Sequence, residues 1–182
     1  MSGEPRDRMA RGESARALRL VLIGYGNPLR SDDGVGWRAA EELSRSLEFP
    51  GVAVASVVSH QLMPELAHDF KDADAVFFID ATREGQPGEV KSHPVIAEPW
   101  IPYSHACSPA ALLGLGRELY GARPQAYAVT LCGECFDHGE GFSATARASL
   151  PRLTALVEKL SIDVIAQLGT AEPFAETLGG SE

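Results

Sequence analysis

Long apolar runs, cysteines and aromatic residues are all scarce in this sequence of 182 residues. The longest apolar stretches, such as 75–79, are far shorter than the ~20 residues that a membrane-spanning helix needs, so we expect a soluble protein with no membrane partner. The three cysteines are too few for the disulfide framework of a secreted domain, and the charged N-terminal segment lacks the apolar run of a signal peptide. The sequence therefore predicts a cytoplasmic protein with reduced thiols.

Basic residues are outnumbered: 16 Lys and Arg stand against 25 Asp and Glu, which gives a net charge of −9. Acidic residues are spread along the chain and leave no basic face for a phosphate backbone, so we expect no nucleic-acid partner. The length is that of one domain large enough to form its own core. We predict a flexible N-terminal tail at 1–18, a single domain at 19–162 and a C-terminal tail at 163–182.

Short apolar runs alternate with helical patterns along this domain. Strands are predicted at 19–23, 52–58, 75–79 and 125–131, with a weaker edge strand at 88–95. Helices are predicted at 35–47, 63–70, 109–120 and 143–160, the last being kinked or restarted around Pro151. This alternation predicts a three-layer α/β/α domain with a mostly parallel sheet of about five strands. In such sheets, functional sites form at the carboxyl ends of the strands.

A glycine-rich loop, GYGNPLRSDDGVG at 24–36, follows the first predicted strand. A dinucleotide-binding fingerprint requires a third glycine where Leu29 stands, and no strand-end carboxylate lies at the ribose-binding distance, so we expect no nucleotide cofactor. Asp32 and Asp33 would repel a phosphate but suit a cation. One carboxylate of the pair could serve only to cap the following helix, which leaves the other free to act.

Two further residues are candidates for the functional site, one after a predicted strand and one before a predicted helix. Asp80 follows the most apolar strand, where a carboxylate either begins a turn or joins the site. His105 precedes a helix whose N-terminal end would favour a neutral imidazole, and a neutral imidazole is a good metal ligand. A solvated loop histidine is the simpler interpretation. Two carboxylates and one imidazole with open positions would suit a borderline divalent metal.

The remaining cysteines and histidines form no complete metal-binding pattern. Cys132, Cys135 and His138 supply half of a zinc site, and we interpret this motif as a strand end that enters a loop. The other histidines, His60, His68 and His93, are interpreted as surface residues.

Four motifs together resemble the hydrogenase maturation proteases. They are the loop GYGNPLRSDDGVG, the strand end FFIDA, the segment SHACSP before a helix, and the turn GEGFS at 139–143. The likeness runs from about residue 20 to residue 160 and includes the order of the elements.

This resemblance implies an endopeptidase that removes the C-terminal extension from the precursor of a nickel-iron hydrogenase large subunit after nickel insertion. It places the three metal-contacting, catalytic positions on Asp33, Asp80 and His105, and it implies that the nickel arrives with the substrate. Within this interpretation, the metal either takes part in hydrolysis or is only recognised, with Asp32 or Asp80 as general base. The alternative from another class is a non-catalytic nickel-sensing chaperone of the immature large subunit.

Overall fold

Five strands form one sheet in the order β2-β1-β3-β5-β4. The structure is a computed structural model that describes residues 16–101 and 107–170. Strands β1, β2, β3 and β5 are parallel, whereas β4 pairs antiparallel with β5 at one edge. The strands are β1 (Leu18–Tyr25), β2 (Val52–Ser59), β3 (Ala75–Thr82), β4 (Val90–Pro94) and β5 (Gln125–Cys132).

Helices cover both faces of this sheet. They are α1 (Val35–Ser46), α2 (Pro109–Tyr120) and α3 (Ala144–Thr170), and two short 3₁₀ helices lie at Ser31–Gly34 and Pro64–His68. The Ser108 side chain accepts a hydrogen bond from the backbone of Ala111, which caps α2, and Gly121 ends this helix with a left-handed φ of 68°.

Each face of the sheet has its own apolar core. One core joins α1 and α3 to the sheet, and the other joins α2 and the Pro64–His68 turn to the opposite face. The apolar run of β1 and that of β3 are completely buried, since side chains from both faces of these central strands enter a core. The predicted three-layer α/β/α architecture with a mostly parallel five-stranded sheet is confirmed.

Three elements differ in type or length from the prediction. The predicted helix at 63–70 is only the short 3₁₀ helix at Pro64–His68, and β3 continues past Asp80 to Thr82. Helix α3 continues through Pro151 to Thr170 instead of ending near residue 160. Buried Leu153, Val157 and Val164 lie on one side of α3 in the core, and this packing outweighs the missing proline N–H.

Most of the predicted tails, residues 1–15 and 171–182, lie outside the described residues. The predicted boundary at 163 is wrong, because 163–170 continue α3 and Val164 packs in the core. Within the described ranges, no helix has the length and apolar character needed to cross a membrane.

The strand order places a crevice beside β1. The chain passes from β1 through α1 to the edge strand β2 and then returns across the other face of the sheet to β3. Loops that leave neighbouring parallel strands on opposite faces open a crevice at the carboxyl ends of those strands. The candidate site lies at this position.

Candidate functional site

A cavity of about 500 Å³ opens at the carboxyl ends of β1, β2 and β3. Its walls come from the first loop, the turn after β2, the end of β3 and two residues that precede α2 in the sequence. The lining residues are Tyr25, Gly26, Asp33, His60, Gln61, Leu62, Met63, Pro64, Asp80, Trp100 and Cys107. Of the residues predicted to form the site, Asp33 and Asp80 therefore meet in one cavity.

Glycines in the first loop bring Asp33 toward the end of β3. A Cβ on Gly26 would overlap the carbonyl oxygen of Asp33, and a Cβ on Gly36 would overlap the carbonyl oxygen of Ile79. The absence of these side chains lets the beginning of α1 pack directly on the ends of β1 and β3. The Asn27 backbone N–H donates to Asp33 Oδ2 at 2.9 Å and holds this carboxylate toward the first loop. The glycine-rich sequence thus serves close backbone packing.

Asp80 lies in a largely desolvated position. Its Oδ1 accepts a hydrogen bond from the backbone N–H of Ala81 at 2.7 Å, and its carboxylate also accepts one from the Tyr25 hydroxyl. Burial raises the pKa of Asp80 to about 7, and the nearby charge of Asp33 adds to this rise, while the two hydrogen bonds oppose it. Burial beside Asp80 also raises the pKa of the Tyr25 hydroxyl. The free site therefore disfavours having both carboxylates ionised.

Asp32 has a structural role that separates it from its neighbour. It is completely buried, and its carboxylate accepts backbone hydrogen bonds of 2.8–2.9 Å from Glu134, Cys135 and Ser143. Although burial alone would raise the pKa of Asp32, these hydrogen bonds hold it below the ordinary value. Asp32 does not line the cavity. Its use as a general base, one of the options left open by the sequence, conflicts with this geometry.

The buried carboxylate of Asp32 joins the first loop to the segment 133–143. Two further backbone contacts support this junction: Asp32 N–H donates to the carbonyl of Cys135 at 3.0 Å, and Ser31 N–H donates to Gly139 at 3.0 Å. The Cys132 motif is the end of β5 entering this loop, as predicted. Neither Cys132 nor Cys135 lines the cavity.

His105, the third predicted metal ligand, lies outside the described residues. Trp100 precedes His105 in the sequence and Cys107 follows it, and both of these described residues line the cavity. Across 16–101 and 107–170, no group of three or more His, Cys, Asp or Glu side chains is arranged to hold a metal ion. The described part of the site therefore supplies two carboxylate donors, Asp33 and Asp80.

Several lining residues were not predicted from the sequence. His60, interpreted as a surface residue, is exposed but also lines the cavity, and Tyr25, Met63 and Trp100 line it as well. The signal for His60 and Tyr25 was present: each stands at the end of a strand predicted to be parallel with its neighbour. The sequence did not indicate the position of Trp100, because the segment after β4 has no regular pattern.

The chain matches no protein-family model and no curated protein sequence. Its structure is similar to that of the NiFe hydrogenase maturation protease HycI from Thermococcus kodakarensis KOD1, with 20% identity, a TM-score of 0.62, and coverage of 81% of this chain and 94% of that one. The hydrogenase maturating endopeptidase HybD from E. coli gives 20% identity and a TM-score of 0.60 over 84% and 94% of the two chains. An endopeptidase from Escherichia coli gives 21% and 0.63 over 84% and 94%. The chain shares the fold of these proteins.

Proposed function

We propose that this chain is a hydrogenase maturation endopeptidase, which cuts the C-terminal extension from the precursor of a nickel-iron hydrogenase large subunit after nickel insertion. The shared fold with proteins named as a hydrogenase maturation protease, a hydrogenase maturating endopeptidase and an endopeptidase supports the proposal. The observation that carries it is the meeting of Asp33 and Asp80 in one cavity at the carboxyl ends of the strands. The four motifs that resemble this family include both carboxylates.

In this proposal the nickel belongs to the substrate and is recognised by Asp33, Asp80 and His105. Carboxylate and imidazole groups are suitable ligands for a borderline divalent ion. A cation between the two carboxylates would also relieve the repulsion and desolvation that raise the pKa of Asp80. For His105 the support is its position in the sequence, between Trp100 and Cys107, two residues that line the cavity.

Recognition of the nickel would place the scissile peptide bond next to the two carboxylates. The substrate's nickel could then supply Lewis-acid chemistry that polarises the scissile carbonyl or activates the attacking water. Alternatively, the three ligands only recognise the nickel, and Asp80 takes the proton from water. The buried, fully hydrogen-bonded Asp32 leaves Asp80 as the aspartate available for that second route.

The test is the intact mass of a large-subunit precursor, with and without nickel, before and after incubation with this protein. We expect a C-terminal peptide to be lost only from the nickel-loaded form, and Asp33→Ala, Asp80→Ala and His105→Ala each to reduce this cleavage strongly. Asp163→Ala is a matched control, since this exposed carboxylate on α3 pairs with Lys159 away from the cavity.

Two outcomes would contradict parts of the proposal. A stable complex with the precursor and no loss of mass would favour the nickel-sensing chaperone instead. Cleavage by all three site variants at the wild-type rate would refute the site assignment.

A further inference from the structure

We propose that His60 transfers the proton that peptide hydrolysis requires. This inference rests on the proposed endopeptidase function. The imidazole takes a proton from the attacking water as the water oxygen forms a bond to the scissile carbonyl carbon. It then gives that proton to the amide nitrogen as the C–N bond breaks and its electron pair goes to nitrogen. The products are a carboxylic acid and an amine, and His60 returns to its starting form.

The backbone around His60 holds this residue at the mouth of the cavity. The preceding residue, Ser59, ends β2, and its carbonyl accepts a hydrogen bond from the Gly26 backbone at 3.1 Å. The Ser59 hydroxyl donates to the carbonyl of Gln61 at 2.7 Å, which fixes the turn on the other side. The missing side chain of Gly26 borders Asp80, because a Cβ there would lie 3.6 Å from Asp80 Oδ1. His60 thus directly follows the residue, Ser59, that bonds to Gly26, and Gly26 in turn borders Asp80.

The imidazole ring is held by an aromatic contact while it stays accessible. The ring of His60 meets the ring of Trp37 edge to face, with centroids 5.2 Å apart and an interplanar angle of 66°. The Trp37 indole N–H donates to Oε1 of Glu41, one turn later on α1, at 3.1 Å. This hydrogen bond holds the indole in place. Because His60 is also exposed, an incoming peptide can reach a ring whose position is already set.

The other titratable groups in the described cavity wall are less suited to this step. In the route in which the substrate's nickel takes part in hydrolysis, Asp33 and Asp80 are its ligands, and the Tyr25 hydroxyl already donates to Asp80. This leaves His60 and Cys107. An imidazole accepts a proton at a ring nitrogen and can pass it on, whereas burial raises the pKa of the Cys107 thiol, so His60 is the group that fits proton transfer.

The experiment compares His60→Gln and His60→Ala with wild type in cleavage of the nickel-loaded precursor. A positioned acid-base group contributes about 10²–10⁴ in rate, so we expect kcat to fall by at least about 100-fold while KM stays within about threefold. Free imidazole should restore part of the His60→Ala activity, and its effect on the wild-type rate is measured at the same concentration. His68→Gln is the matched control, because His68 is exposed and packs edge to face on Tyr120 at 5.9 Å outside the cavity.

The outcomes separate this inference from the proposed function. Loss of kcat in both variants, with rescue by imidazole and full activity of His68→Gln, supports proton transfer by His60. If wild type cleaves and His60→Gln keeps kcat within about threefold, or loses activity only through a higher KM, the inference is refuted while the proposed function stands. If wild type itself leaves the nickel-loaded precursor intact, both are overturned.

Discussion

Replacing Asp80 with asparagine should stabilise the free protein while it abolishes precursor cleavage. The wild-type carboxylate is desolvated and faces Asp33, and both effects oppose its ionised form. Asparagine has the same shape and keeps an oxygen for the Ala81 backbone N–H. It carries no charge to desolvate. Sites that bind charged ligands commonly hold groups that cost stability in their absence.

The size of this effect follows from the pKa of Asp80, which rises from its ordinary value of 3.8 to about 7 on folding. Asp80 keeps its proton to higher pH in the folded protein than in the unfolded chain. The free energy of unfolding therefore falls as pH rises between these two pKa values and is level above about pH 7. At ~1.4 kcal/mol per pH unit, the cost of the ionised carboxylate reaches about 4 kcal/mol. The asparagine variant lacks this cost, so its advantage should be about 2 kcal/mol near pH 5.5 and about 4 kcal/mol near pH 8.5.

Urea unfolding of both proteins, followed by the fluorescence of Trp37 and Trp100, measures these differences. The pH dependence of groups that do not interact with Asp80 cancels when the variant is compared with wild type at each pH. Asp163→Asn is the control, since its exposed pair with Lys159 contributes about 0.5 kcal/mol or less. A variant that is less stable than wild type at the higher pH, or an advantage that does not change with pH, would refute the reasoning.

Three other variants test how the loops are held. Asp32→Asn places an amide against three backbone N–H groups, so we expect a loss of about 2–4 kcal/mol in urea unfolding, and an unchanged midpoint would contradict that role. Gly26→Ala, at a φ of 124°, puts a Cβ onto the carbonyl of Asp33; cleavage should be lost with an unchanged circular dichroism spectrum, and wild-type cleavage would disprove the packing argument. Gly114→Ala puts a Cβ onto a carbonyl of the segment 95–101, so the tryptophan emission should shift, and an identical spectrum would count against contact between this segment and α2.

The strands were predicted closely because their signal is local. Each apolar run of β1 and β3 is buried on both faces, so the run itself marks the strand. The length of α3 was not predicted, since Pro151 is a local signal for a break, whereas Val164 continues the helix through contacts with distant parts of the chain. Local patterns thus determine most elements, and tertiary packing determines where this helix ends.

The candidate site shows the same division between local and distant information. Asp32 and Asp33 are adjacent and chemically identical, and their chemistry alone could not separate a buried acceptor from a cavity ligand. The family resemblance was what selected Asp33. The difference depends on the segment 133–143, about one hundred residues later, whose backbone N–H groups are satisfied by Asp32. Because the N–H groups of this segment bond to the Asp32 carboxylate, Asp33 is the carboxylate of the pair that lines the cavity.

The order of strands explains why the sequence indicated Asp80 as a site residue but did not indicate that His60 lines the same cavity. Asp80 interrupts a continuous apolar run, so it is conspicuous in the sequence itself. His60 follows a strand whose residues are small and only partly buried, and a histidine after such a strand has no local mark of function. It lines the cavity because β2 lies parallel to β1, so that both strands end at the same edge of the sheet. A histidine directly after one parallel strand can therefore line the same cavity as a carboxylate at the end of another strand, which its own sequence context does not indicate.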